Sequence, residues 1–322
     1  MNLPKISIVT PSFNQGRFIE QTIQSVLGQN YPNLEFVIID GGSTDETTAI
    51  IRKYEKQVTY WVSEPDRGQS HAINKGLAHC TGEVFNWLNS DDFLEPGALF
   101  HIAEEYARKP FSALCGRVNV WDTDVFSHVR NSSYVGPTAE DSVAAFNINQ
   151  EGTWWSLEKV KKTGGVNEEL HYCMDLELWF RLLLISEIGD IRTTETILSN
   201  FRRHPAAKST SEGKKGKQSP FLSEQAMLFE QMKPEKVKWS WYDLMNVLFD
   251  AKYSNRISFY NQLDEKRKVL IKNKRLFKMA TENFYLGNIK VSENAISKIG
   301  LFPKGISFRD LFFIRRRILK SY

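Results

Sequence analysis

The first 100 residues alternate between short apolar runs and stretches with helical periodicity. Residues 6–10 form a β-type apolar run, and the apolar positions between residues 18 and 27 recur on one helical face. A second apolar run at 34–39 leads into a glycine-containing loop and another helical stretch. Strand, loop and helix in repetition are typical of βαβ units, so the pattern predicts an α/β domain with a mainly parallel sheet flanked by helices.

An apolar run at residues 84–88 ends close to two adjacent carboxylates, Asp91 and Asp92. The carboxyl ends of parallel strands meet at one edge of a sheet, so we expect Thr10, Asp40 and Asp91 along one rim. Two acids there suit Mg²⁺ or Mn²⁺, which binds one or two carboxylates together with substrate phosphates. From this stretch alone, capping of the helix that follows explains the acids equally well.

Composition indicates an ordinary soluble protein with room for one large α/β domain and an appendage. Net charge is +4, from 42 basic and 38 acidic residues, so the chain carries no general signal for nucleic-acid binding. Three widely spaced cysteines (80, 115 and 173) favour a reducing compartment over a disulfide framework or a zinc site. No apolar run is long enough for a membrane span, and we expect a cytoplasmic protein.

Four motifs carry a resemblance to a known family, whereas neither a GxGxxG nor a P-loop pattern follows the first strand. The motifs are TPSFN at residues 10–14, DGGSTD at 40–45, PDRGQSHAINKG at 65–76 and NSDD at 89–92. In this order and spacing they resemble the N-terminal half of family 2 glycosyltransferases, which have the GT-A fold. The run at 65–76 is most similar to bacterial O-antigen (lipopolysaccharide) and capsule polysaccharide enzymes.

The resemblance implies a site for a UDP-sugar at this rim. It implies that Asp40 bonds the uracil, that Thr10 and Pro11 lie beside the base, and that Asp91, aided by Asp92, binds a metal on the pyrophosphate. Further donor contacts are implied for Arg67, Asn74, Lys75, Asn89 and Ser90. Two positions depart from the family: Asn89 stands where an acid is common, and Gly41 replaces the second of two paired acids.

A second acidic signal lies in the middle of the chain. Asp175 begins an apolar helical stretch after the glycine-containing run at 164–170, and it matches the family's catalytic base. An aspartate at a helix start is also a common cap, because it satisfies free N–H groups and the helix dipole. Glu177, two residues on, points elsewhere on a helix and is the weaker candidate.

Residues 196–201 form a β-like run that ends at Arg202, Arg203 and His204. The family has a histidine here that can join the metal, so His204 is a candidate ligand, with a structural histidine as the equal alternative. Arg203, or Arg202, is a candidate phosphate contact. The loop at 207–218, rich in Ser, Gly and Lys, resembles a flexible lid over phosphates.

Trp154 and Trp155 lie between the two acidic signals. Tryptophan faces stack on sugars, although large aromatics more often fill a core. The Gln-x-x-Arg-Trp motif of processive family members is not found after Asp175. The similar string at 150–154 precedes it and has Thr153 in place of the arginine, so we expect a non-processive enzyme.

The chain changes character from about residue 220 and predicts an α-helical C-terminal extension, with domains at 1–220 and 221–322. Residues 241–249 carry one apolar face, and 276–299 predicts a helical hairpin. The segment 303–322 has six basic residues and one acid, interleaved with aromatics. Peripheral binding to an anionic membrane and packing on protein explain this pattern equally well.

These features predict an inverting, metal-dependent hexosyl- or N-acetylhexosaminyltransferase. The expected donor is a UDP-sugar, the acceptor is a glycan hydroxyl, possibly linked to a lipid diphosphate, and the cofactor is Mn²⁺ or Mg²⁺. A sugar-1-phosphate nucleotidyltransferase is an alternative, but residues 12–17 lack that class's glycine-rich loop with its Arg and Lys. An inactive UDP-binding or glycan-binding module is the second alternative, and the presence of Asp175 argues against it.

Overall fold

The computed structural model describes residues 3–208, 224–225, 227–228, 264–285, 289–299, 306–307 and 310–311. The chain divides into two compact units, one formed by Met1–Val135 with Asn147–Ser211 and the other by Gly136–Phe146 with Glu212–Tyr322. The predicted boundary at residue 220 lies outside the described residues. The grouping of Gly136–Phe146 with the C-terminal unit is a feature that the sequence pattern does not predict.

One sheet runs through the first unit, with nine strands among the described residues. Its order is β3-β2-β1-β4-β8-β6-β9-β5, and β7 pairs with β6. The strands are β1 Ile6–Ser12, β2 Leu34–Asp40, β3 Tyr60–Ser63, β4 Val84–Trp87, β5 Phe93–Leu94, β6 Ala113–Asp122, β7 Val125–Arg130, β8 Thr153–Ser156 and β9 Ile191–Arg203.

The N-terminal half of the sheet is parallel. β1 pairs in parallel with β2 and β4, and β2 pairs in parallel with β3. β8 runs antiparallel to both β4 and β6, which makes the whole sheet mixed. The predicted mainly parallel sheet flanked by helices is confirmed, and the register brings the ends of β1, β2 and β4 to one edge.

Among the described residues, seven helices lie between these strands in chain order, six in the first unit and one, Ala139–Ala145, in the second. The first of them buries Ile19, Thr22, Ile23 and Val26 at helical spacing, as the apolar pattern predicts. Burying such a face against the sheet stabilises each helix more than its own propensity does. The helices are α1 Ile19–Leu27, α2 Thr47–Lys53, α3 Gln69–Ala78, α4 Ala98–Arg108, α5 Ala139–Ala145, α6 Leu157–Lys162 and α7 Met174–Ile185.

The second unit contains α5 together with α8 Glu265–Tyr285 and α9 Ile289–Ser297. Its core includes Leu276, Ala280 and Ile296, which agrees with the predicted helical hairpin at 276–299. The predicted apolar face at 241–249, and all but four residues of the basic segment 303–322, lie outside the described residues. In the part of the chain that is described, none of the helices has the length and apolarity needed to cross a bilayer.

Candidate active site

The acidic turn after β4 is held from beneath by the first helix. The Thr22 hydroxyl lies 3.0 Å from the carbonyl oxygen of Ser90 and 2.6 Å from that of Asp92. Above these contacts, the Asp91 side chain keeps 18% of its surface exposed. Its Oδ2 lies 3.0 Å from Nε2 of His204. A carboxylate and an imidazole therefore meet at the rim, as the two sequence signals predict separately.

Asp92 faces the protein interior. Its Oδ1 accepts a hydrogen bond from the backbone N–H of Arg202 at 2.9 Å, and its Oδ2 accepts one from Nδ2 of Asn89 at 3.2 Å. Burial, followed by repulsion from Asp91, raises the pKa of Asp92 well above its usual range. In this position the Asp92 carboxylate supports the turn, and its aid to the metal stays a prediction.

The two arginines before His204 also have structural partners. Arg202 is buried and donates to the carbonyl oxygens of Asp91 at 2.6 Å and Thr123 at 3.0 Å. Arg203 pairs with Oδ1 of Asp122 at 2.8 Å. The Arg203 side chain is 38% exposed and that of Asp122 is 58% exposed, so this pair can open, and the phosphate contact of Arg203, or of Arg202, stays a prediction.

A further acid lies near this turn and was not identified from sequence. Glu151 is buried beside Arg130, with Oε1 3.3 Å from Nη1. Burial raises the pKa of Glu151, Arg130 opposes that effect, and the charge of Asp91 adds to it. The mutual influence of Asp91, Asp92 and Glu151 creates a negative environment that favours a cation over an anion at the rim.

The donor set at the rim fits a hard divalent ion that shares its coordination with substrate. In the described part of the chain, no group of three or more His, Cys, Asp or Glu side chains has the arrangement of a complete protein metal site. Mg²⁺ sites in transferases usually take only one or two protein carboxylates and complete their shell with phosphates and water. Asp91, with His204 beside it, matches that incomplete protein shell.

The hydrogen-bonding capacity of the Asp40 carboxylate is filled by donors from its own loop and from Ser63 of β3. Oδ1 accepts from the Ser43 hydroxyl at 2.5 Å, while Oδ2 accepts from the Ser63 hydroxyl at 2.6 Å and the Ser43 N–H at 2.9 Å. The side chain is completely buried. These contacts make Asp40 the organiser of the loop after β2, and its contact with a uracil stays a prediction that no observation supports.

The end of β1 presents a different side chain from those predicted. Thr10 and Pro11 are both buried, Thr10 is completely inaccessible, and their contacts beside the base stay a prediction. Phe13 is 59% exposed at the same edge. Phe13 directly follows the first apolar run in the sequence, but an apolar side chain at that position does not by itself predict exposure.

Two residues that are predicted to contact the donor, Arg67 and Lys75, form ion pairs within the protein. Nη2 of Arg67 lies 2.5 Å from Oε2 of Glu168, and Nζ of Lys75 lies 2.5 Å from Oε1 of Glu64. Both pairs are largely exposed, so they contribute little to stability and leave Arg67 and Lys75 able to exchange partners. Their donor contacts remain predictions.

Asn74 has a clear structural function. Its Nδ2 donates to the Val166 carbonyl at 2.8 Å, and its Oδ1 accepts from the Val166 N–H at 2.9 Å. The adjacent Gly165 has a φ of +79°, and a Cβ there would lie 2.7 Å from Oδ1 of Asn74. Both sides of the Asn74 amide hold the loop before α7, and its contact with the donor stays a prediction.

Asp175 lies in the first turn of α7 and is half-buried. Glu177, the weaker candidate for the base, is 1% exposed and forms a two-point ion pair with Arg181, at 2.8 Å and 2.6 Å. Arg181 also donates to the Gly165 carbonyl at 2.8 Å. Glu177 is therefore committed to the packing of α7, and the assignment of Asp175 as the base stays a prediction.

A chain of polar contacts connects the acidic turn with the segment before α7. Asn89 Oδ1 accepts from Gln69 Nε2 at 2.7 Å, and Gln69 Oε1 accepts from Lys208 Nζ at 3.1 Å. Lys208 Nζ also donates to the carbonyl of His171 at 3.0 Å. Sequence reasoning missed Gln69 and Lys208, because their proximity depends on contacts across 139 residues.

Trp154 and Trp155 are completely buried on β8. Trp155 stacks on Trp87 with ring centroids 6.0 Å apart. Both side chains belong to the core, which is the more common place for large aromatics.

Comparison with known proteins agrees with this geometry. Among curated relatives, an uncharacterized glycosyltransferase of Rickettsia typhi is 28% identical over 71% of this chain and 80% of its own length. An uncharacterized glycosyltransferase of Mycobacterium tuberculosis is 38% identical over 59% of this chain and 72% of its own. The chondroitin synthase of Escherichia coli is 27% identical over 63% of this chain but only 29% of its own.

Solved structures show the same fold. Staphylococcus aureus TarS 1–349 in complex with UDP-GlcNAc superimposes with a TM-score of 0.63 and 16% identity, over 99% of this chain and 89% of that one. The Pyrobaculum calidifontis mannosyltransferase PcManGT, in complex with GDP-Man and Mn²⁺, has a TM-score of 0.50 and 19% identity, over 71% of each chain. The family model for glycosyl transferase family 2 matches residues 7–183, more than half of the chain. The protein is therefore a member of glycosyltransferase family 2 with the GT-A fold.

Proposed function

We propose that this glycosyltransferase is an inverting, metal-dependent, non-processive enzyme that moves a hexosyl or N-acetylhexosaminyl group from a UDP-sugar to a hydroxyl of an acceptor glycan. The observation that carries the proposal is the pair formed by Asp91 and His204 at the carboxyl edge of the sheet. Family membership favours this activity over the nucleotidyltransferase alternative.

An exposed aromatic side chain and the Asp91–His204 pair support a metal-bound nucleoside diphosphate at the rim. Phe13 offers an exposed aromatic face to a base at the end of β1. Asp91 follows the neighbouring β4, and His204 follows β9 and contacts it, so that the two would hold Mn²⁺ or Mg²⁺ on the diphosphate. The structural neighbour TarS binds UDP-GlcNAc and UDP, which supports a uridine donor here.

The bound metal would supply compensating charge for the diphosphate as it leaves. Asp91 contributes by presenting a partly exposed carboxylate oxygen, and His204 restrains that carboxylate through the 3.0 Å contact. Asp92 contributes by fixing the turn, since its hydrogen bonds to Arg202 and Asn89 set the direction of Asp91. The rim is thus preorganised before a donor binds.

Asp175 would act as the general base. Its carboxylate accepts the proton of the acceptor hydroxyl while that oxygen forms a bond to the anomeric carbon. The bond between the anomeric carbon and the phosphate oxygen breaks on the opposite face, and the electron pair leaves with UDP. One displacement of this kind inverts the anomeric configuration, and a positioned base contributes about 10²–10⁴-fold to the rate.

The acceptor is proposed to be a growing bacterial surface polysaccharide carried on a lipid diphosphate. The partial similarity to chondroitin synthase supports a polysaccharide product. A cytoplasmic location is consistent with three buried, free thiols at Cys80, Cys115 and Cys173. Peripheral contact between 303–322 and an anionic membrane is part of this proposal, and it lies almost entirely outside the described residues.

The activity is tested by incubating the purified chain with Mn²⁺ and a panel of UDP-sugars, with GDP-mannose for comparison, and measuring the released nucleotide. We expect UDP release from one donor, suppression by EDTA, and an inverted anomeric configuration in the product by NMR. Full turnover in EDTA would contradict the metal assignment. Turnover with GDP-mannose alone would contradict the uridine donor.

A further inference from the structure

The carboxylate of Asp66 fills the space beside Gly41. A Cβ added to Gly41 would lie 2.8 Å from Oδ2 of Asp66 and 3.1 Å from its carboxyl carbon. Gly41 follows the last residue of β2, and Asp66 follows β3 by three residues. The two strands pair in parallel, so their ends bring an acid from the second loop into the volume that a side chain in the first loop would occupy.

The two aspartates at this point differ in how much hydrogen-bonding capacity they retain. Both oxygens of Asp40 are occupied by donors from its own loop and from Ser63. Asp66 is half-buried, and its Oδ1 accepts from the Gly68 N–H at 2.7 Å. No hydrogen bond to Oδ2 of Asp66 is formed by the residues that the structure describes.

We propose that Asp66, rather than Asp40, recognises the base of the nucleotide donor. This assignment rests on the proposed function. Oδ2 of Asp66 accepts a hydrogen bond from an imide N–H, which uracil carries at N3 and cytosine lacks. A carboxylate has no proton to donate, so it favours a base that presents a donor there and rejects one that presents an acceptor. Gly41 is required because any side chain at that position would displace this carboxylate.

A purely structural function for Asp66, holding the turn into α3, makes a different prediction. Asp66→Asn separates the two. Gly68 N–H continues to select the amide oxygen of Asn, so the NH₂ group takes the place of Oδ2. The turn is retained, while the acceptor that faces the base becomes a donor.

The test measures binding of UDP and CDP to the full-length protein by isothermal titration calorimetry with Mn²⁺ present. The wild type should prefer UDP. Asp66→Asn should weaken UDP binding by about 10–100-fold, the usual value of a hydrogen bond to a charged group, and should weaken CDP binding far less. Asp190→Asn, at a half-buried aspartate that precedes β9, is the matched control and should leave both affinities unchanged.

Gly41→Ala supplies a second variant that keeps Asp66 in the chain but pushes Oδ2 aside. It should also reduce the preference for UDP, whereas Gly189→Ala, which has no atom within 4 Å of the added Cβ, should not. A UDP preference that stays within about twofold of wild type in both Asp66→Asn and Gly41→Ala would overturn the assignment of Asp66 alone. Failure of the wild type to bind UDP would overturn the proposed uridine donor and this assignment with it.

Discussion

His204 Nε2 lies 3.0 Å from Asp91 Oδ2, although 113 residues separate them in sequence. The Asp91 turn is anchored by Thr22 of α1, and His204 is placed by the end of β9, with its ring 4.6 Å from that of Phe18. Two parts of the chain with independent local structure thus converge on one rim. The pair is the part of the site on which the metal proposal depends.

The first prediction concerns this pair. Asp91→Asn should abolish most of the divalent-dependent UDP release, because the amide loses the charge that holds the cation. His204→Asn should weaken Mn²⁺ binding less, since it removes the secondary partner. Mn²⁺ affinity in the presence of UDP, measured by electron paramagnetic resonance, checks both. His128→Asn, at an exposed histidine on β7, is the control. Unchanged Mn²⁺ affinity in Asp91→Asn would refute the metal assignment.

The second prediction concerns Asp175. Asp175→Asn should lower turnover by about 10²–10⁴-fold while UDP affinity remains near that of wild type, because a base acts on the acceptor and not on the nucleotide. Single-turnover kinetics and UDP titration separate the two effects. Glu158→Gln, which changes an exposed acid in the first turn of α6, controls for helix-terminus electrostatics. Normal turnover in Asp175→Asn would reassign this residue to the structure of α7.

The third prediction concerns the buried ion pair in α7. Glu177→Gln should lower the free energy of unfolding by about 3–5 kcal/mol, because Arg181 would remain buried without a counter-charge. Urea denaturation measures the loss. Arg108→Ala, which breaks a largely exposed pair with Glu105, should cost less than about 1 kcal/mol. Equal losses in the two variants would show that the Glu177 pair is not important for stability.

The fourth prediction concerns acid stability. Burial raises the pKa of Glu35, but hydrogen bonds from Ser7 and Thr81 outweigh it and hold the pKa below the ordinary value of 4.5. The folded state therefore binds the proton more weakly than the unfolded state. The stabilisation from Glu35 is complete above about pH 4.5 and is lost as pH falls through the lowered pKa.

Glu35→Gln should reduce the decline in unfolding free energy between about pH 5 and pH 3, while lowering stability at neutral pH. Urea unfolding at a series of pH values measures this decline. Glu55→Gln, at an exposed glutamate, should leave the slope unchanged. The same acid slope in Glu35→Gln and wild type would exclude Glu35 as a contributor.

Local pattern was sufficient for several elements of the first unit, among them β1, β2, β4 and α1, whereas β6, β7 and β8 were not predicted. The apolar run of β1, the helical face of α1 and the acids after β4 are each encoded within about ten residues, where side-chain periodicity reports burial directly. The parallel sheet then follows from the order of these elements, and it brings the ends of β1, β2 and β4 together. The family resemblance added the metal and the base to that framework.

Only the tertiary structure decided which side chains at the rim remain available for chemistry. Asp91 and Asp92 are neighbours in sequence, yet one is partly exposed and the other is buried under Arg202. Asp40 is saturated by its own loop, and Asp66 occupies the space beside Gly41. Such distinctions depend on burial and on hydrogen-bond partners from distant segments. Sequence periodicity reports which face of an element is buried, but not which partner each polar atom meets there.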